Sequence, residues 1–352
     1  MRCHRVLSPF GPMFAVVLLL VALPARADEP AVSKITPELV AAAAKEGKVV
    51  FYTSVEIKVG EAMAKAFQAK YPGITVQTER SGSERIFQRL SQETAARIYT
   101  ADVVNSSDAA HFIMWKREGW LAPVLPEDVA LHFPPATRDA DGMYAPWRAT
   151  LSVIGYNTSL VKPEQAPRSF ADLLDPKWSG RIVKAHPGYS GTILTATFQM
   201  ARDLGWDYFE KLARQRVMQV QSANEPPKKL ALGERAIMAD GVEYQLLIEK
   251  EHGDPVEAIY PSEGTPLVIS PSAVMKNAPH PNAARLFQLY LFTAEAQQLL
   301  VDMGALRSLH DQVKEAPNHT PLAKIKLMKE DAAAVVDQVD DIKTRYAKYF
   351  GT

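Results

Sequence analysis

The sequence predicts an α/β fold divided into two lobes, for three reasons. Short apolar strands alternate with amphipathic helices along most of the 352 residues, which is typical of an open sheet covered by helices. This length corresponds to roughly two domains of about 150 residues each. The 25 prolines and 18 glycines divide the chain into many short elements, which does not suit a single helical bundle.

The first half of the chain alternates between strand and helix. A helix is predicted from Pro37, with Thr36 as its N-cap, and Gly47 ends it. Three strands are predicted next, each followed by a hydroxyl-rich turn and a helix, at 49–52, 74–76 and 102–105. Because open parallel sheets bind ligands at the carboxyl ends of their strands, we expect these turns to line one cleft.

The same alternation resumes after Tyr144. Further strands are predicted at 151–156, 182–184, 236–239 and 267–270. The segment from His186 to Thr192 leads from the second of these strands into an apolar helix. Three helices are predicted towards the end of the chain, near 281–291, 294–303 and 329–346.

The first 27 residues have the three-part layout of a secretory signal. Arg2 and Arg5 precede an apolar run from Met13 to Leu23, and Ala25-Arg26-Ala27 supplies small residues at the cleavage positions. The run is shorter than the ~20 residues that a spanning helix needs. We therefore expect cleavage of residues 1–27, export to the periplasm and a mature chain that begins at Asp28.

The composition argues against several classes of protein. The chain has 40 basic and 40 acidic residues, which does not suit a polybasic nucleic-acid binder. Its one cysteine, Cys3, excludes a disulfide framework and a thiolate metal cluster. The sequence has no Gly-x-Ser-x-Gly elbow, no His-Glu-x-x-His motif and no phosphate-binding P-loop. We therefore expect no enzymatic activity.

Six stretches of the chain resemble the solute-binding proteins of ABC transporters, specifically the ferric-iron-type family. In chain order they are VVFYTS, ADVVNSSDAA, LSVIGYNTSL, FADLLDPKWSGRI, KLALGERAIMADG and IYPSEGTPLVISPSAVMKNAPHPNAARLF. Together they cover most of residues 48–305, and the last is the most specific. The resemblance implies the type II periplasmic binding fold, in which two α/β lobes with mixed and parallel sheets are joined by two crossing hinge strands.

The resemblance also implies lobe boundaries and a role in transport. The boundaries are 28–150 with about 268–315 for lobe 1, and 151–267 with about 316–352 for lobe 2. The crossing strands would lie near Ala149–Gly155 and Leu267–Pro271. Proteins of this family close on a solute and deliver it to an inner-membrane ABC permease. We expect a periplasmic monomer with no nucleic-acid partner.

The ferric chemistry of that family does not carry over to this sequence. Its iron-binding members use a histidine after the first strand, a glutamate after the third and an adjacent tyrosine pair in the second lobe. Those positions fall here on Glu56, Ser107 and Gly241-Val242, while Tyr244 falls on a flanking aromatic position. None of the 12 tyrosines is adjacent to another. Ferric iron held by other oxygen ligands remains the alternative solute.

The remaining residues of the cleft favour a small anion, such as an organophosphate, a phosphonate or a carboxylate. Hydroxyl groups and a helix N-terminus offer hydrogen-bond donors, and Arg148, with Arg80 as a second candidate, offers positive charge. The predicted ligand-binding residues are Thr53, Ser54, Ser83, Ser107, Arg148, Ser190, Gly191, Thr192 and Tyr244. We expect no cofactor, and the sequence leaves open whether a metal ion accompanies the anion.

Each of these residues also has a structural alternative. Serine and threonine before helices are commonly plain N-caps, an isolated arginine is commonly a solvated surface charge, and Tyr244 could be a core residue. For Asp240 a helix N-cap is the better interpretation, and for Glu225-Pro226-Pro227 a turn at the rim of the cleft. Surface loops are expected for three histidines without ligand spacing, His280, His310 and His319.

Overall fold

The architecture of the chain was obtained from a computed structural model, which describes residues 1–2, 30–317 and 319–352. The predicted signal sequence lies outside the described residues, apart from its first two positions. Within the described part of the chain, no helix has both the length and the apolar character needed to cross a bilayer.

Twelve strands lie in the described residues, and ten of them form one curled mixed sheet. The strands are β1 (Val32–Ser33), β2 (Lys48–Thr53), β3 (Thr75–Arg80), β4 (Val103–Asn105), β5 (Leu121–Ala122), β6 (Leu125–Pro126), β7 (Ala145–Asn157), β8 (Ile182–Ala185), β9 (Met218–Val220), β10 (Ile237–Val242), β11 (Val256–Ile259) and β12 (Leu267–Met275). The large sheet has the order β3-β2-β4-β12-β7-β10-β8-β9. In addition, β5 pairs with β12 and β11 with β7, while β1 and β6 form a separate pair.

Twelve α-helices in the described residues cover this sheet. They are α1 (Pro37–Glu46), α2 (Ile57–Lys70), α3 (Ser83–Ala95), α4 (Ala109–Arg117), α5 (Glu127–His132), α6 (Gly191–Leu204), α7 (Trp206–Ala213), α8 (Glu225–Ala231), α9 (Glu243–Glu251), α10 (Pro281–Leu291), α11 (Ala294–Gly304) and α12 (Ala332–Phe350). Helix α1 confirms its predicted ends, since Thr36 accepts a hydrogen bond from the Leu39 amide and Gly47 ends the helix in the left-handed region, at φ 68°.

The order of the strands produces the two lobes that were predicted. In the first lobe β2 pairs in parallel with β3 and β4, and in the second β8 pairs in parallel with β9 and β10. Between these groups β7 and β12 pair antiparallel with each other, so both strands pass from one lobe to the other. The predicted mixed α/β fold with two crossing strands is therefore confirmed, whereas the lobe boundaries stay a prediction.

Both crossing strands are longer than predicted. Strand β7 begins at Ala145, and β12 continues to Met275 through Pro271. Proline cannot donate to a strand ladder, so it normally indicates the end of a strand. In β12 the ladder with β7 shifts register between Ser270 and Ser272, and the Asn105 side-chain amide donates to the Pro271 carbonyl at 2.7 Å. The bulge accommodates the proline without ending the strand.

The core of the first lobe determines which way β7 presents its side chains. Trp147 is fully buried and packs edge-on against Phe51, with ring centroids 5.8 Å apart, and Phe51 packs in the same way on Phe287. Successive side chains of a strand point to opposite faces. With Trp147 pointing into the core, Arg148 points to the other face, towards the cleft.

The final helix contacts both lobes. Helix α12 packs on α4 of the first lobe and on α6 and α7 of the second. A buried apolar cluster joins Ala110 of α4, Leu194 of α6 and Val335 and Ile342 of α12. Lys343 of α12 also pairs with Glu84 of α3, with Nζ and Oε2 2.9 Å apart. The end of the chain, which was assigned to lobe 2, therefore bridges the two lobes.

Candidate functional site

A cavity of about 290 Å³ lies between the lobes, at the carboxyl ends of the first-lobe strands and the N-terminus of α6. Three contacts close the lobes around it. The Gly191 amide donates to Ser83 Oγ at 2.7 Å, Asn224 Nδ2 to Glu56 Oε2 at 3.0 Å, and Arg85 to the Gln221 side chain at 3.3 Å. The cavity thus has the position of a ligand site between two lobes.

Seven of the nine predicted ligand-binding residues line this cavity. They are Ser54, Ser83, Ser107, Arg148, Ser190, Thr192 and Tyr244. Arg80, the second candidate for the positive charge, also lines it. Residues from six separate parts of the chain are therefore brought together as the sequence analysis expected.

The structure places the other two predicted residues, Thr53 and Gly191, away from the cavity wall. Thr53 is completely buried in the first lobe, where its hydroxyl donates to Asn105 Oδ1 at 3.0 Å and accepts from the Val55 amide. The Gly191 amide, which was expected to contact the ligand, instead donates to Ser83 Oγ of the first lobe. A Cβ there would lie 2.4 Å from Asp108 Cβ, so the missing side chain is what allows the lobes to touch.

Arg148 is a buried cation without an acidic partner among the described residues. Its side chain donates to the Thr150 hydroxyl at 3.1 Å, while its Nε has no hydrogen-bond partner, and only 2% of the residue is exposed. Burial lowers the pKa of Arg148 to about 10, and the nearby Arg80 acts in the same direction. An unpaired buried charge is costly, and an anion in the cavity would remove that cost. The alternative of a solvated surface arginine is wrong for Arg148.

Neutral polar groups surround the same cavity. Ser54 Oγ is buried without a hydrogen-bond partner, and Ser190 is the N-cap of α6, whose dipole places positive potential at the cavity. Tyr244 Oη donates to Asn224 Oδ1 at 2.6 Å. Burial raises the pKa of Tyr244, which keeps the phenol protonated at neutral pH. Tyr244 belongs to the buried core and also lines the cavity, and its contact with a ligand stays a prediction.

A second polar cluster, formed by Glu84, Asp108 and His111, adjoins the cavity and was missed by the sequence analysis. His111 Nε2 lies 3.2 Å from Glu84 Oε1 and 3.7 Å from Asp108 Oδ2. Burial raises the pKa of Asp108. Burial also acts to raise the pKa of Glu84, but contacts with His111 and Lys343 lower it to about 2. The signal in the sequence was the spacing of Asp108 and His111, which places both on one side of a helix.

Of the minor predictions near the cleft, one is wrong and another is right only in its position, since Glu225 lines the cavity. Asp240 is not a helix N-cap, because α9 is capped by Val242. Asp240 instead forms a fully buried ion pair with Lys184, with Oδ2 and Nζ 2.7 Å apart. Glu225-Pro226-Pro227 is the first turn of α8, since the two prolines fall at positions where a helix needs no amide donor.

The prediction of surface histidines is wrong for His310 and His319, which are 3% and 6% exposed. The His310 ring stacks on His132 with centroids 4.8 Å apart, and Asp311 contacts His132 Nδ1 at 2.9 Å. These three residues form a separate cluster at the edge of the first lobe. His280 is partly buried and contacts Asp102 Oδ2 at 2.9 Å.

One family model and several known proteins match this chain over most of its length. The model of the family described as bacterial extracellular solute-binding protein matches residues 62–327. Iron uptake protein A1 of Synechocystis sp. is 25% identical over 270 residues, which cover 73% of this chain and 74% of that protein. A putative 2-aminoethylphosphonate-binding periplasmic protein of Salmonella typhimurium is 25% identical over 271 residues, 73% of this chain and 76% of the relative.

Solved structures of periplasmic binding proteins share this fold. The periplasmic binding protein AfuA from Actinobacillus pleuropneumoniae, with fructose-6-phosphate bound, aligns with a TM-score of 0.80 at 24% identity, covering 87% of this chain and 99% of that one. Iron-bound HitA from Pseudomonas aeruginosa aligns with a TM-score of 0.74 at 24% identity, covering 86% and 99%. The names of these proteins include iron, a phosphonate and a sugar phosphate, so the relatives do not agree on one solute.

Proposed function

We propose that this chain, which belongs to the bacterial extracellular solute-binding protein family, captures a small anionic solute between its lobes and delivers it to an inner-membrane ABC permease. Its relatives are periplasmic solute-binding proteins of ABC importers. The observation that carries the choice of an anion is the buried guanidinium of Arg148, which has no acidic partner among the described residues.

The rest of the cavity supports an anion with several acceptor oxygens. Arg148 can donate two parallel hydrogen bonds to a carboxylate, phosphate or phosphonate group. Ser54 and Thr192 add hydroxyl donors from opposite lobes. Each charge-assisted hydrogen bond in a closed cleft contributes about 1.5–3 kcal/mol, which is enough to favour the closed form when the anion is bound. An organophosphate, a phosphonate and an organic carboxylate all satisfy this chemistry.

Native mass spectrometry of the purified protein should reveal the co-purified solute, and calorimetric titration should then compare wild type with Arg148→Ala. We expect a tenfold to hundredfold loss of affinity, at about 1.4 kcal/mol per tenfold. The melting temperature without solute should fall little, because the lost side chain leaves no acid unpaired and only its hydrogen bond to the Thr150 hydroxyl is lost. Arg214→Ala, which removes an exposed arginine directly after α7, is the control and should bind like wild type. Unchanged affinity in Arg148→Ala would reject the anion site.

Ferric iron is the alternative solute, and its spectrum separates it from an anion. The positions of the family's tyrosine pair are Gly241 and Val242, which lie buried in β10, and the Tyr244 hydroxyl is held by Asn224. We expect protein loaded with ferric citrate to stay colourless, because iron coloured by tyrosinate needs a phenolate ligand. A tight coloured complex that is lost in Tyr244→Phe would instead identify iron as the solute.

We also propose that the protein is a periplasmic monomer without catalytic activity, released by cleavage after Ala27. Relatives of the chain are named as periplasmic proteins, and the signal sequence supports the same location. N-terminal sequencing of periplasmic protein should begin at Asp28, and retention of Met1 would contradict export. Light scattering should give the mass of one mature chain.

A further inference from the structure

Three side chains with metal-binding atoms converge where the lobes meet, beside the solute cavity. Glu84 of α3, Asp108 before α4 and His111 of α4 each place one such atom within 4.8 Å of the others. The exposed fractions of these residues are 8%, 1% and 5%. Their closest separations, 3.2 Å and 3.7 Å, are near the ~3–3.5 Å between neighbouring ligands of an ion bound at about 2.0–2.2 Å.

One oxygen of this cluster lacks a hydrogen-bond donor. Asp108 Oδ1 caps α4 by accepting from the Ala110 amide at 2.9 Å, whereas Asp108 Oδ2 is buried without a hydrogen-bond partner. The 3.7 Å from Oδ2 to His111 Nε2 is too long for a hydrogen bond. The neighbouring cation, Lys343, contacts Glu84 Oε2 and does not supply this donor. A cation held among the three residues would satisfy Asp108 Oδ2 and leave the helix cap intact.

The surrounding contacts orient the three side chains as the second layer of a metal site does. Ser106 Oγ lies 3.0 Å from His111 Nδ1. In the tautomer protonated at Nδ1, this nitrogen donates a hydrogen bond to the Ser106 hydroxyl. The other ring nitrogen, Nε2, then faces Glu84 Oε1 at 3.2 Å. Lys343 fixes the second oxygen of Glu84, and Phe87 stacks on the imidazole ring at 4.7 Å.

We propose that Glu84, Asp108 and His111 bind a divalent transition-metal ion of the Mn²⁺, Fe²⁺ or Zn²⁺ class. One imidazole and two carboxylates suit these ions, whereas Ca²⁺ requires six or more oxygen ligands. Glu84 also lines the solute cavity, which gives the ion a route to the site from the cleft. The ion lies beside the contact between Ser83 and Gly191. Its positive charge there favours closure of the two lobes when an anion is bound in the cavity. The ligand set does not depend on the identity of the solute.

Calorimetric titration of chelator-treated mature protein with Zn²⁺ and with Mn²⁺ tests the site. We expect saturable binding of one ion that depends on Asp108, with at least a tenfold loss of affinity in Asp108→Asn and in His111→Gln. Asparagine is as good an N-cap as aspartate, so Asp108→Asn keeps the helix cap while removing the charge. The mature chain has no cysteine, so thiolate coordination cannot imitate the result.

The matched control is Asp311→Asn, which changes the other possible metal-binding cluster, His132 with His310 and Asp311. This variant should retain the metal affinity of the Glu84 cluster. Binding that is lost in Asp311→Asn but kept in Asp108→Asn would overturn the proposal, and so would the absence of saturable binding to wild type. Anion titration of Asp108→Asn separates the two proposals, since loss of metal with retained anion binding supports the metal site independently of the solute site.

Discussion

Two buried arginines lie side by side in this protein and have opposite electrostatic surroundings. Arg307 is joined to the residue after Arg148 by a β-bridge to Ala149. Arg307 makes a bidentate ion pair with Glu243, with contacts of 2.7 and 2.8 Å. Burial acts to lower the pKa of Arg307, but the contacts with Glu243 outweigh it and the pKa is raised. Arg148 has only the Thr150 hydroxyl, and burial lowers its pKa to about 10. Among the described residues, the fold supplies an acid for Arg307 and none for Arg148.

Removal of the paired arginine should have the largest effect on stability. In Arg307→Met, Glu243 stays buried without its cation, and the free energy of unfolding should fall by about 3–5 kcal/mol. Urea unfolding measures the change. Lys250→Ala, which breaks the exposed pair of Lys250 and Glu257, should change it by less than ~1 kcal/mol. Equal effects of the two substitutions would contradict the structural role of the buried pair of Arg307 and Glu243.

The pH dependence of solute affinity should separate the two arginines next. Below pH 10 Arg148 is protonated and the affinity should be constant. Above its pKa of about 10 the empty protein loses that proton, so affinity should fall by up to tenfold per pH unit. Arg307 stays charged in this range because Glu243 raises its pKa. Calorimetry between pH 8 and 11 tests this, with a solute whose charge is constant. An unchanged affinity at pH 11 would contradict the lowered pKa of Arg148.

Single hydroxyl groups should give the smallest effects, and they distinguish the cavity from the core. Ser190→Ala should weaken solute binding a few-fold and lower stability by about 0.5–1 kcal/mol through loss of the α6 cap. Thr53→Ala should lower stability by about 1 kcal/mol, because Asn105 loses a buried partner, without changing affinity. Titration and thermal melting of both variants measure the difference. A larger loss of affinity in Thr53→Ala than in Ser190→Ala would reverse the assignment of the two hydroxyls.

The alternation of elements was predictable because it depends on neighbours in sequence. Apolar runs and hydroxyl-rich turns at the ends of β2, β3 and β4 indicated which residues could reach a cleft. The facing of adjacent residues was harder to predict. Thr53 and Ser54 look equivalent in sequence, yet only Ser54 lines the cavity, because the end of β2 turns one hydroxyl into the lobe.

Contacts between distant parts of the chain were not predictable. Glu84 and Lys343 are 259 residues apart, and Glu243 and Arg307 are 64 apart. No local sequence pattern indicates these pairs. An isolated arginine has the same neighbours in sequence whether its side chain is paired with an acid, solvated or positioned to bind a ligand. The burial of Arg148 follows from the extension of β7 back to Ala145, which Pro146 concealed.

Helix α12 is a third connection between the lobes, in addition to the crossing strands β7 and β12. Two crossing strands alone would form a simple hinge. Helix α12, however, packs on α4 of the first lobe and on α6 and α7 of the second. To widen the cleft, α12 would have to move relative to one of these surfaces. That movement would disrupt the buried apolar cluster that contains Val335 and Ile342. The helix therefore limits how far the lobes can separate while its contacts with both of them are kept.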